Sequence, residues 1–315
     1  MDFDALCQQL NLGALTEEPM RLTGGLMHKM YRIATESGVY AVKCLNPHVM
    51  ARPTAAANFA AAEELERRLE QTDLPLLPAL TIGGQKMQKV GDDFFYVFPY
   101  FDGKALPEGD ITPRHCEIVG KTLAKLHQVE RKQESTQRNT LAIDWDGFAL
   151  SDEDKDLLTQ MQAAANAAIL PPLSTICHND MDPKNVLWNG MDCRVIDLEC
   201  LGYGSPYLEL LETALCWAGY ESGAVDFDRF YAFVGAYAKA GGDLAADWAA
   251  VYAANCGRLE WLHYNLQRAN GSEGEDAIAL GKAEAAKTLT CIRGYVKMKD
   301  ALIRKLEEIK KEGLE

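Results

Sequence analysis

Apolar and β-branched residues cluster in short runs early in the chain, whereas later they recur at helical spacing. Residues 30–35 (MYRIAT) and 39–45 (VYAVKCL) are rich in β-branched and aromatic side chains. Glu36-Ser37-Gly38 supplies a turn between them, so the pair predicts a β-hairpin. Residues 55–70 (AAANFAAAEELERRLE) are strong helix formers, and the prolines of the following TDLPLLP close that helix. FFYVFPYF at 94–101 predicts a long apolar strand ending at Asp102-Gly103. Beyond that turn the period changes. Thr112-Pro113 is a helix start, and Ile118, Thr122, Leu123, Leu126 and Val129 recur at helical spacing toward His127. A short β-rich island lies at 174–197. Residues 205–315 read as helical almost throughout, with aromatic faces near 207–220, 228–237 and 248–265. The chain is therefore α+β, with a small β-rich N-terminal lobe over 1–102 and a larger, mostly helical C-terminal lobe over 103–315. No internal repeat is present.

Composition narrows the function. With 315 residues, 48% apolar and 25% charged, the chain can bury a core of its own. A formal charge of −14 argues against partners that are themselves polyanions, so neither nucleic acid nor an anionic membrane surface is expected, and a cationic or neutral small molecule fits better. The N-terminal MDFDALCQQL is acidic where a secretory leader carries positive charge, and no apolar run is long enough to span a bilayer; a cytoplasmic protein is expected. The nine cysteines are odd in number, scattered, and never spaced Cys-x-x-Cys, which disfavours a disulfide framework or a zinc site and predicts mostly small core residues.

The chemistry concentrates in STICHNDMDPKNVLWNGMDCRVIDLE, residues 174–199. It contains His178-x-Asp180-x-x-x-x-Asn185, the spacing with which a phosphoryl-transfer loop places a base and a metal ligand on one short turn. Residues 186–188 and 193–196 predict two short strands joined by Asn189-Gly190, which sets Asn185 within about one residue of Asp197. Two oxygen-bearing side chains then meet at the open end of a hairpin, a donor set that suits Mg²⁺ completed by substrate phosphates. Asp180 can accept a hydroxyl proton and orient that oxygen for in-line attack on a γ-phosphorus. His178 is expected to brace the loop.

Lys43 lies among apolar residues in VYAVKCL, where an unpaired ammonium would be costly, so it requires a partner. A carboxylate from 55–70, with Glu63 ahead of Glu64 and Glu66, and the phosphates of ATP both serve. Gly24 and Gly25 let backbone N–H groups approach phosphate, with His28 or Lys29 as further contacts. In FPYFDG, the Pro99 carbonyl and the Phe101 N–H are candidates for an adenine edge.

Together these residues resemble the aminoglycoside phosphotransferase and choline kinase family, relatives of the protein kinases. HNDMDPKN resembles the family's catalytic loop, VIDLE its metal-binding segment, VYAVKC its lysine strand, YFDGKAL its interlobe linker and GKTLAKLH its first large C-lobe helix. The resemblance implies a bilobal protein-kinase-like fold, ATP or GTP as donor, Mg²⁺, and transfer to a hydroxyl of a small metabolite or antibiotic. It implies Asp180 as base, Asn185 and Asp197 on the metal, Lys43 on phosphate and Glu199 near a second metal. Lys184 stands where the family often has glycine and Glu209 where it often has aspartate, and the glycine loop is short. The family's acceptor site lies on C-lobe helices, which here carry Trp217, Tyr220, Glu221, Glu260, Trp261 and Tyr264; Trp217, Tyr220, Glu260 and Tyr264 are the candidate substrate residues. Aromatic faces beside carboxylates suit a cationic amine or a sugar, and equally suit helix packing. Aminoglycoside-, choline- and sugar-like acceptors, and with them antibiotic resistance or metabolism, stay open, as does a catalytically silent nucleotide-binding relative. The sequence assigns no oligomeric state.

Overall fold

In the computed structural model, which describes residues 2–22, 28–134, 140–222, 224–271 and 274–312, the principal elements follow in chain order. They are α1 (Phe3–Leu10), β1 (Met20–Leu22), β2 (Lys29–Thr35), β3 (Gly38–Cys44), α2 (Pro47–Met50), α3 (Ala55–Leu69), β4 (Gln88–Val90), β5 (Asp93–Pro99), β6 (Lys104–Ala105), α4 (Pro113–Val129), β7 (Arg131–Lys132), α5 (Asp152–Ala167), β8 (Ser174–Cys177), β9 (Val186–Asn189), β10 (Asp192–Val195), β11 (Gly202–Gly204), α6 (Pro206–Trp217), α7 (Phe227–Lys239), α8 (Trp248–Ala254), α9 (Gly257–Ala269) and α10 (Glu275–Glu312). They divide into two compact units. One comprises the chain up to Leu106 together with Pro183–Gly202; the other comprises Pro107–Asp182 and the chain from Tyr203 onward.

The first unit is built on an antiparallel sheet in the order β1-β2-β3-β5-β4. The expected hairpin forms with Thr35 opposite Gly38 and Met30 opposite Lys43, and β5 pairs along the other edge of β3 with Tyr96 opposite Lys43. Side chains alternate along a strand, so Val42 and Cys44 join Ile33, Phe95 and Val97 in a core closed by Leu6 and Leu10 of α1. The opposite face carries Tyr96, which packs with Leu45, Ala55, Phe59 and Ala79 beneath α3. Lys43 lies on that second face, in a pocket it shares with Phe59, Ala62 and Tyr96.

A second small sheet, in the order β10-β9-β6, completes this unit. Its turn is closed by Gly190 at φ 60°, a conformation that costs glycine little. Lys104 pairs with Trp188, while the Val195 carbonyl accepts from Leu77 N–H and its N–H donates to Pro75 O. These bonds explain two departures from the single boundary expected at 102/103. The 183–202 segment is hydrogen-bonded into the first unit, and the chain leaves that unit only at Leu106.

In the second unit, the buried strand β8 lies at the centre of a sheet ordered β11-β8-β7, and α4 crosses α7 closely. A Cβ on Gly120 of α4 would lie 2.3 Å from the Phe233 carbonyl oxygen of α7, so glycine is required by the approach of the two backbones. Trp217, Trp248, Phe230, Phe233 and Tyr237 are fully buried. Asp154 of α5 receives both Nε and Nη2 of Arg293 from the long α10, at 2.8 and 2.7 Å. All nine cysteines are free thiols, and seven are buried. Among the described residues, no helix is long and apolar enough to cross a membrane.

Candidate active site

The β9–β10 hairpin sets the register of the first unit's polar cluster. Val186 pairs with Val195, and beyond that pair the Asn185 carbonyl accepts the Ile196 N–H at 2.9 Å. The next residue, Asp197, leaves the strand in the left-handed conformation (φ 65°, ψ 54°), which aspartate tolerates better than most residues but at a cost of about 1–3 kcal/mol. That turn aims the carboxylate at Lys43. The ammonium donates to Asp197 Oδ1 and Glu199 Oε2, both at 2.5 Å, and is 7% exposed. Burial alone would lower the Lys43 pKa; the two carboxylates outweigh it and hold the ammonium above its ordinary value.

Glu63 is not the partner of Lys43. Its Oε1 accepts from Tyr96 Oη at 2.8 Å and Met87 N–H at 3.2 Å, and its Oε2 from Arg67 at 3.0 Å, so both oxygens are already engaged. The alternatives are likewise occupied: Glu64 pairs with Arg68, and Glu66 with the fully buried Lys86 and the Ala79 N–H. Glu63 nevertheless lines the same pocket as Lys43, together with Phe59, Ala62, Tyr96, Phe98 and Leu198.

Glu199, which composition alone would not single out, is a hub. Besides Lys43, it faces His28, whose Nε2 lies 3.3 Å from Oε1. Burial would raise the Glu199 carboxyl, but the His28 contact and the Lys43 charge outweigh it and hold the pKa down at about 2. Pro99 closes β5 opposite Tyr40, and the Phe101 carbonyl accepts the Gly103 N–H at 2.9 Å. Gly24 and Gly25 lie outside the described residues.

Asp180 belongs to the second unit, at the end of a braced loop. His178 is fully buried, and its Nδ1 accepts the Asp180 N–H at 3.2 Å. Asn179 sits in the left-handed region at φ 64°, and its N–H donates to Glu209 Oε1 at 2.6 Å. The other Glu209 oxygen lies 2.6 Å from His127 Nε2, while His127 Nδ1 lies 2.8 Å from Tyr237 Oη. Burial would raise the Glu209 pKa; His127 and the Asn179 N–H hold it below the ordinary value near 4.5. Glu209 is thus a support of the loop that carries Asp180, visible in the sequence only as a family difference. Met181, next to Asp180, is tied by its carbonyl to the Trp217 indole N–H at 2.9 Å.

That bond bears on the candidate substrate residues. Trp217 is fully buried as an anchor of the loop, and Tyr220, 1% exposed, lies under the Arg258 guanidinium, 4.6 Å from its ring centroid, with Oη on Glu212. Neither presents a face to solvent, so the reading of these two as substrate contacts gives way to packing. The first turn of α9 adds ion pairs from Arg258 to Glu212 (2.8 Å) and Glu221 (3.1 Å). Further along that helix, Glu260 and Tyr264 are exposed, and Trp261 stacks on Tyr264 with ring centroids 5.5 Å apart.

In the first unit a lysine is buried on two carboxylates, and an asparagine and an aspartate lie at the open end of one hairpin; in the second, an aspartate ends a braced loop. The model of the Phosphotransferase enzyme family matches residues 20–254, well over half of the chain, and the protein belongs to that family. Among solved structures, it is similar to amicoumacin kinase hAmiN in complex with AMP-PNP, Ca²⁺ and Ami, with a TM-score of 0.63 at 12% identity, covering 92% of this chain and 93% of the other. A choline/ethanolamine kinase family protein from Mesorhizobium loti gives a TM-score of 0.60 at 19% identity, covering 93% and 99%. Spectinomycin phosphotransferase APH(9)-Ia, in complex with ADP and spectinomycin, gives 0.56 at 14%, covering 92% and 93%. At these identities the likeness is one of fold. No curated protein matches the sequence.

Proposed function

We propose that the protein transfers the γ-phosphoryl group of ATP to a hydroxyl of a small, amine-bearing molecule, with Asp180 as the proton acceptor. Asn185 and Asp197 would hold Mg²⁺, and Lys43 would bind phosphate. The observation that carries this reading is the buried Lys43 ammonium, held by Asp197 and Glu199, with Asn185 paired beside Asp197 on the same hairpin. Hard oxygen donors few in number fit a cation that keeps waters and shares phosphate oxygens. Held there, such a cation would supply charge neutralisation for the transferring phosphoryl group.

The protein's own groups supply positioning. An ammonium has three donors, and two are taken by Asp197 and Glu199; the third has no partner among the described residues and is available to a phosphate oxygen. Asp180, with its N–H fixed on His178, orients the acceptor hydroxyl and takes its proton as the oxygen attacks phosphorus. The exposed Glu260 and the Trp261–Tyr264 stack support an acceptor that carries an amine. The kinases named above are further support for a small-molecule acceptor, and AMP-PNP with Ca²⁺ in one of them for a nucleotide with a divalent cation.

An ADP-release screen with Mg-ATP against aminoglycosides, macrolides, choline, thiamine and simple sugars tests the reading. It predicts at least one acceptor that stimulates release in the parent protein and none in Asp180→Ala. Equal stimulated turnover in the variant would sink the assignment of Asp180.

A further inference from the structure

His28 is the first described residue before β2, and it touches two elements at once. Its Nδ1 accepts the Asn46 N–H at 3.0 Å, at the N-cap of α2. A ring nitrogen that accepts carries no proton, so the neutral imidazole bears its hydrogen on Nε2, the atom 3.3 Å from Glu199 Oε1. The side chain is 6% exposed, so water competes little for either nitrogen. Glu199 in turn splits its oxygens: Oε1 goes to His28 and Oε2 to Lys43.

We propose that His28 is a positioning residue of the nucleotide site, keeping Glu199 Oε1 turned toward β2 so that only Oε2 meets Lys43. The inference rests on the reading of Lys43 as the phosphate-binding ammonium. Without the His28 contact, both Glu199 oxygens are free to chelate the ammonium, or the carboxylate, 21% exposed, swings toward water. Either change redirects the third N–H of Lys43, the donor left for phosphate. The role is therefore in nucleotide affinity, and acceptor binding is untouched.

A competing description makes His28 merely a cap for Asn46, and two substitutions separate the contacts. Glutamine places an amide N–H near the position of Nε2–H and so retains the Glu199 contact. Asparagine places a carbonyl near Nδ1 and so retains the Asn46 cap but cannot reach Glu199. Mg-ATP affinity is measured by titration calorimetry on the full chain, with the melting temperature followed in parallel and KM and kcat taken wherever an acceptor supports turnover. The expected result is that His28→Asn weakens Mg-ATP binding about tenfold, the scale of one charge-assisted hydrogen bond. KM for ATP should rise with kcat and acceptor KM little changed, and His28→Gln should bind close to the parent. Asparagine binding as tightly as the parent, or glutamine and asparagine equally impaired, overturns the proposal while leaving Lys43 on phosphate. A parent protein that binds no Mg-nucleotide overturns the functional reading itself, and this inference with it.

Discussion

Replacing Glu209 by alanine should loosen the loop that carries Asp180 and destabilise the second unit together. The carboxylate is 8% exposed and accepts two hydrogen bonds of 2.6 Å, from the Asn179 N–H and from His127. Hydrogen bonds to a charged acceptor contribute roughly 1.5–3 kcal/mol each, and removing one partner of a buried pair costs about 3–5 kcal/mol. These two routes converge on about 4 kcal/mol, or roughly 8 °C in melting temperature for a chain of this size. Glu209→Gln preserves the shape and one acceptor and should fall about halfway. Because the Asn179 N–H holds the residue before Asp180, turnover should fall further than stability alone requires at a temperature where both variants are folded. Thermal denaturation by circular dichroism with ADP release on the same samples provides the measurement. A Glu209→Ala protein that melts with the parent and turns over within about twofold of it would refute the reasoning.

Lys43→Met should abolish detectable Mg-ATP binding while the protein stays folded, read by calorimetry and circular dichroism; it would also leave Asp197 and Glu199 without their shared cation. Gly120→Ala gains helix propensity but drives a methyl toward the Phe233 carbonyl, so urea denaturation should show a net loss of about 1–3 kcal/mol. The Glu209 pKa is lower folded than unfolded, so its contribution to stability is present above the ordinary carboxylate range near 4.5 and is lost as pH falls below it. The gap in melting temperature between the parent and Glu209→Gln should therefore be widest near neutrality and narrow on acidification; a gap constant with pH contradicts this.

The elements with a strong local signal were readable from residues alone. The β2–β3 hairpin, α3, β5, α4 and the β9–β10 hairpin each carry their own periodicity and turn, and the structure places them within a residue or two of expectation. The sequence pattern does not single out α1 or α5: α1 is short, and α5 is polar and alanine-rich, so their boundaries rest on the Asp2 and Ser151 caps, respectively, more than on an apolar stripe. The partners of Lys43 are hidden in the sequence for a different reason. Sequence offered three glutamates on one helix, and only the fold shows each engaged elsewhere, with Glu199 brought in from a residue 156 positions away. His28 and Glu209 are similarly invisible as motifs, since their partners are backbone N–H groups and side chains distant in the chain. Trp217 and Tyr220 were aromatic signals whose burial only tertiary packing could decide.

Cation binding by the hairpin is where a single measurement bears hardest on the account. Mn²⁺ titrated against the protein in the presence of AMP-PNP, followed by electron paramagnetic resonance, should show a bound cation in the parent. Asp197→Ala and Asn185→Ala should each lose it or weaken it by an order of magnitude or so. Equal Mn²⁺ occupancy in all three proteins would contradict the assignment of these two side chains to the metal.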